Sequence, residues 1–168
     1  MEELARLSWS EILDNLVHLG IAFLLTLPLG WEREQAGHGP GIRTFPLVAI
    51  GSCAFLLIGR AYLSGSPSHA RLLYGLMTGL GFIGGGSILK TAEDVSGTAT
   101  AAGIWNTGAI GAAVAWQRYE IAITLAVVNF VVLHFGKPAR SLVVRRSREW
   151  REQEKGEEPE PGDEESER

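Results

Sequence analysis

Apolar and polar positions divide this chain into five apolar runs separated by short polar breaks: Leu16 to Gly30, Phe45 to Gly59, Leu72 to Leu89, Thr98 to Trp116 and Ile121 to Phe135. Each run approaches the roughly 20 residues that a helix needs to cross a bilayer, and polar flanks can supply the shortfall. The pattern predicts an all-α fold, a polytopic helical membrane protein of about five transmembrane helices. Two segments follow: residues 1–136 form the transmembrane domain, and residues 137–168 form a basic juxtamembrane stretch and a disordered acidic tail.

Local signals sharpen the boundaries. The leader "MEELARLSWSEILDNL" is acidic where a secretory signal is basic, and no small-x-small cleavage pattern follows it, so the first run is read as a retained span. Ser8 and Glu11 have capping-box spacing, which predicts an amphipathic turn leading into that span. Ser66-Pro67 gives the third helix a cap residue followed by proline at its first position. Cys53, the single cysteine, lies inside the second run, where it reads as a small packed side chain; it can form neither an intrachain disulfide nor a cysteine metal site.

The tail conceals how apolar the remainder is. Residues 137–168 hold more than half of the charged side chains, which lowers the mean hydropathy of the whole chain to +0.11. Leu142, Val143, Val144 and Trp150 sit among arginines, a composition suited to anionic lipid. The Glu/Pro/Gly-rich end has the composition of a disordered segment. With five spans, one side of the membrane receives Arg33, Arg43, Lys90 and the basic start of the tail, and the other receives Arg6, Arg60, Arg71 and Arg118. By the positive-inside rule the N-terminus is expected outside and the C-terminus in the cytoplasm.

The third run carries "GLGFIGGGSILK", whose Gly79, Gly81 and Gly84 match G-x-G-x-x-G. A dinucleotide turn also needs a preceding strand, a following helix and an acidic residue about 20 positions later. "RLLYGLMT" is no strand, and Glu93 and Asp94 come too early, so the glycines belong to a membrane helix. At about 100° per residue Gly75, Gly79 and Gly86 share one sector, while Gly81, Gly84 and Gly85 occupy another. Two smooth faces are expected, suited to close helix packing or to a broken helix lining a cavity. The fourth run is also rich in small residues and is expected to pack against the third.

Taken together, "GWEREQAGHGPGIRTFPLVAIGS" and "GLGFIGGGSILKTAEDVSGTATAAGIWNTGAIGAA" resemble the MgtC/SapB membrane domain. The matching positions are Gly30, Glu32, Arg33, Glu34, Gly41, Arg43, Thr44, Leu47 and Val48, then Gly79, Gly81, Phe82, Gly84 and Gly86, then Val95, Gly97, Thr100, Ala101, Ala102 and Trp105. Ala99 stands where a threonine is common, Asn106 stands where a small apolar residue is usual, and the acidic tail replaces the folded cytoplasmic domain of some members. The resemblance implies a bacterial inner-membrane protein linked to magnesium limitation, acid stress or life in host cells. It further implies modulation of other membrane machinery, such as the proton-driven ATP synthase, rather than Mg2+ transport itself.

The most informative polar residues are Glu32, Arg33, Glu34, Arg43 and Thr44, on either side of the first loop. They read as snorkelling interfacial anchors or as a functional cluster, with Glu32 and Arg43 expected to pair across the loop. Asp94, in the loop expected on the same side, is the nearest additional carboxylate. Oxygen ligands suit Mg2+, but no ligand spacing marks a metal site, and no cofactor is expected. The packing residues expected from the sequence are Gly75, Gly79, Gly81, Gly84, Gly85, Gly86, Gly97 and Trp105. His18, Asn106, Thr107, Asn129 and His134 lie in or near spans, where a bundle-facing polar group bonds to a neighbouring helix; His38 reads as a solvated loop residue. With no catalytic constellation, P-loop or HExxH, neither an enzyme nor a nucleic-acid binder is expected. The expected partners are the lipid bilayer and another membrane complex or a second copy, and the competing reading is an ion or solute transporter.

Overall fold

The computed structural model describes residues 8–35, 39–90 and 95–136. The five predicted helices are present: α1 (Trp9–Gln35), α2 (Thr44–Tyr62), α3 (Ser66–Gly86), α4 (Thr98–Ala115) and α5 (Tyr119–Gly136). By contact the chain divides into Met1–His134 and Phe135–Arg168; everything below concerns the first unit. The predicted tail features, with Asp94, Glu93 and His38, lie outside the described residues.

Helix α1 is longer than its apolar run, because Ser8 starts it. The Ser8 Oγ accepts the Glu11 N–H at 3.4 Å, and the helix continues unbroken through Pro28. The exposed Trp9 and Trp31 are 22 residues, about 33 Å, apart along α1, close to the ~30 Å hydrocarbon thickness that interfacial tryptophans bracket. Helix α3 starts with Ser66 as its first residue, and its cap is Gly65 at φ +86°. A short ribbon, β1 (Leu89–Lys90) antiparallel to β2 (Val95–Ser96), joins α3 to α4; the all-α reading did not include it. Gly97 ends that ribbon at φ +83°, where an added Cβ would overlap the Ser87 carbonyl, so both backbone conformation and space require glycine there.

Three helices, α1, α2 and α5, are long and apolar enough on their own to cross a membrane. The other two reach the length with more glycine, alanine and threonine, and α4 tolerates this because protein covers its C-terminal part. Six consecutive residues, Ile110 to Ala115, are buried, so this last part of the helix is covered on all sides. Helix α4 touches α1, α2 and α3, and its Gly103 also lies beside Leu133 of α5. Small residues make this possible: a Cβ at Gly111 would overlap the Ala49 carbonyl of α2, and one at Gly108 would overlap Leu80 of α3. The buried hydroxyls of Thr26 and Thr107 donate to the Ala22 and Gly103 carbonyls of their own helices at 2.8 Å, so neither is left unsatisfied in an apolar interior.

The expected α3–α4 packing is present, but one α3 glycine makes the backbone contact. An added Cβ at Gly84 would lie 3.1 Å from the Ala101 carbonyl oxygen, whereas Gly75, Gly79, Gly81, Gly85 and Gly86 would have nothing within 4 Å. These five are therefore uncovered rather than packed: α3 leans on α4 along a single edge through Leu80 and Gly84, the two residues it buries. Trp105 is likewise half-exposed on the outer side of α4 rather than part of a packed seam.

Candidate functional site at the shared end of α1, α2 and α5

Helices α1 and α5 run parallel, since His18 lies beside Tyr119 near their starts and Glu32 beside His134 near their ends. This alignment brings Glu32 to a partner distant in sequence. The Glu32 carboxylate is buried, and its Oε2 lies 3.2 Å from His134 Nδ1. With the carboxylate ionised, Nδ1 carries the proton and donates, which offsets the cost of removing that charge from water. Phe130, one turn earlier on α5, stacks on the imidazole with centroids 5.6 Å apart and planes 10° from parallel. The ring is fixed on one side while remaining half-exposed.

The neighbouring residues shape the loop rather than extend this pair. Glu34 Oε2 accepts the Ile42 N–H at 3.1 Å and so ties the returning chain to the end of α1. Gly30 permits the crossing, since a Cβ there would lie 2.8 Å from Ile42 Cα. Arg33 is half-buried, and its Nε is enclosed with no hydrogen-bond partner. Arg43 is exposed at the N-cap of α2, and Thr44 follows as the first helical residue. The expected Glu32–Arg43 ion pair does not form: the ion pairs among the described residues are Asp14–His18, Arg118–Glu120 and Glu32–His134. The cap position leaves Arg43 in solvent, while Glu32 turns inward towards α5.

A second polar group at the opposite end is not evident from sequence spacing. His18 is buried, with Nδ1 2.8 Å from the Asp14 carbonyl and Nε2 3.3 Å from the Tyr119 hydroxyl. The usable signal for both pairs is depth, because the first and fifth helices of an up-and-down bundle run parallel and polar residues at equal depth meet. Buried Asn129 has an unpartnered Nδ2, and Ser52 an unpartnered Oγ. The Glu32–His134 hydrogen bond links α1 to α5 at the boundary of the bundle. Among the described residues no group of three His, Cys, Asp or Glu side chains is placed to hold a metal ion.

The chain is similar in sequence to several bacterial proteins. The Escherichia coli (strain K12) protein named "Putative magnesium transporter YhiD" is 34% identical over 71% of this chain and 59% of its own length. Protein SapB of Bacillus subtilis is 31% identical over 77% of this chain and 59% of its own, and protein MgtC of Brucella abortus is 35% identical over 61% and 43%. The chain therefore spans only about half the length of these relatives. No solved structure matches. The sequence profile of the MgtC family covers residues 19–142, from the first membrane helix past the last, and the chain belongs to the MgtC family.

Proposed function

We propose that this chain is a bacterial inner-membrane regulator that modulates another membrane complex during magnesium limitation, acid stress or adaptation to a host cell. It acts by docking a helix of that complex against the outward face of α3. The observation that carries this reading is the pair Gly81 and Gly85. They lie one turn apart, exposed on the same side of α3 as Tyr74, and an added Cβ at either would meet nothing within 4 Å. Uncovered small residues at i, i+4 admit a second backbone closely, and in lipid such packing substitutes for the missing hydrophobic drive. The filled centre supports the same reading, because α4 occupies the position where a solute path would run. The Lys/Arg distribution supports an external N-terminus and a cytoplasmic C-terminus.

Purification from native membrane in mild detergent should yield a co-eluting membrane protein that is lost from Gly81→Leu and Gly85→Leu variants of normal stability. Reconstituted alone, the protein should carry no Mg2+ flux. An ion-transporting role is the second reading, favoured by the buried Glu32 beside half-exposed His134. Flux by the isolated chain, with no co-eluting partner, would establish it and overturn the first.

A further inference from the structure

We propose that the cleft between α2 and α3 is a binding site for one anionic phospholipid, with its phosphate on Arg71 and an acyl chain along the cleft. The cleft has a volume of about 830 Å³, within the ~300–1,000 Å³ range of sites that enclose a small ligand. It arises because α3 leans on α4 and touches α2 sparingly, so the two helices diverge away from their connecting turn. Gly51 of α2 and Gly75 and Gly79 of α3 form its floor, and an added Cβ at any of the three would meet nothing within 4 Å. Phe55 and Phe82 flank the opening, and both are largely exposed.

Charge and length together select the occupant. The lining is apolar except for Thr44 and Ser52 on α2 and Arg71 on α3, and Arg71 is its single charged group. That guanidinium makes no ion pair among the described residues. It lies five positions into α3, within reach of the headgroup level once its stem extends along the apolar wall. A guanidinium binds phosphate oxygens in a bidentate fork, which a neutral apolar helix cannot offer. From Arg71 to Ile83 the α3 wall is twelve residues, about 18 Å, slightly more than half the ~30 Å hydrocarbon core, so one acyl chain whose phosphate rests on Arg71 fills it. Gly75 and Gly79 of the cleft lie on a different side of α3 from Gly81 and Gly85, the side assigned to a partner helix, and Phe82 and Ile83 border both.

The test uses the full chain in mild detergent and counts retained lipid by native mass spectrometry, with phosphatidylglycerol and phosphatidylcholine of identical chains in competition. Wild type should retain one phosphatidylglycerol with a preference of roughly tenfold, the scale of one charge-assisted contact. Arg71→Gln should keep its lipid-free thermal stability and lose the preference, binding both lipids equally. Gly79→Leu fills the floor without meeting a neighbour and should retain neither lipid. An unchanged preference in Arg71→Gln, or unchanged retention in Gly79→Leu, overturns the proposal. So does disulfide crosslinking of two copies through Phe55→Cys, on the α2 wall and away from Gly81 and Gly85, since a second copy would then occupy the cleft.

Discussion

Glu32 and His134 stand 102 positions apart in the chain and meet at 3.2 Å because the first and last helices of the bundle are parallel. One side of that contact is buried and the other half-exposed, so the pair joins the interior to the membrane boundary.

Breaking this contact should cost stability, and breaking the expected loop pair should not. Removing one partner of a fully buried pair costs about 3–5 kcal/mol, and the half-exposed His134 reduces the expectation for Glu32→Ala to about 1–3 kcal/mol. Arg43→Ala, at an exposed cap, should cost under about 1 kcal/mol. In double-mutant cycles on unfolding in mixed detergent, Glu32 and His134 should couple by at least about 0.5 kcal/mol, while Glu32 and Arg43 should be additive. The reverse pattern would return the site to the loop.

Arg43 is near Glu32 in the chain but makes no ion pair with it. It lies eleven residues from Glu32 across a short loop, and sequence proximity is the one distance a chain displays directly. Whether a cap residue points to solvent, and which helix covers the other face of α1, depend on the order in which all five helices pack. The helices themselves could be read from the apolar runs, since only helices satisfy the backbone in lipid and the runs have the required length. The central position of α4 could not: a run of alanine, glycine and threonine marks a smooth helix without saying whether protein or lipid surrounds it. Gly84 packs on α4 as expected, while Gly75, Gly79, Gly81, Gly85 and Gly86 do not, for the same reason. A helical wheel correctly placed Gly75 with Gly79, but it does not show what lies opposite them.

Glycine substitutions should therefore divide by what each Cβ meets. Gly111→Ala forces a methyl group into the Ala49 carbonyl, and rigid backbone must move, for an expected cost of about 1–3 kcal/mol. Gly97→Ala combines overlap at Ser87 with a left-handed φ and should cost at least about 1 kcal/mol. Gly79→Ala should be neutral or stabilising, since the space is open and alanine is the better helix former by about 1 kcal/mol. Thermal unfolding of the three variants in one detergent checks the ranking, and equal losses would show that the packing assignment is wrong.

At the other end of the seam, Tyr119→Phe removes the hydroxyl 3.3 Å from His18 Nε2 and leaves the ring. Interhelical hydrogen bonds of this kind average about 0.6 kcal/mol, so the loss should be small, and it should disappear in a His18→Phe background. An equal effect in both backgrounds would mean that the hydroxyl acts elsewhere.

The C-terminus of α4 offers a stabilising substitution. The Gln117 N–H donates to the Val114 carbonyl at 2.9 Å and the Arg118 N–H to the Ala113 carbonyl at 2.9 Å, the two bonds of a Schellman motif with Trp116 as the C-cap. The position after the cap in such a motif is left-handed, and Gln117 has φ +58°, the one described non-glycine residue with positive φ. A side chain there costs about 1–2 kcal/mol relative to the right-handed conformation, a penalty that glycine avoids. Part of that gain is returned through the greater freedom of glycine in the unfolded chain. Gln117→Gly should therefore raise stability by about 0.5–1 kcal/mol, and Gln117→Val, β-branched and least tolerant of positive φ, should lower it by more than that. Arg60, whose guanidinium donates to the Ala115 carbonyl from the end of α2, should retain its contact in both variants. A thermal shift downward for the glycine variant, or no difference between glycine and valine, would show that this turn is held by its neighbours rather than by its own backbone preference.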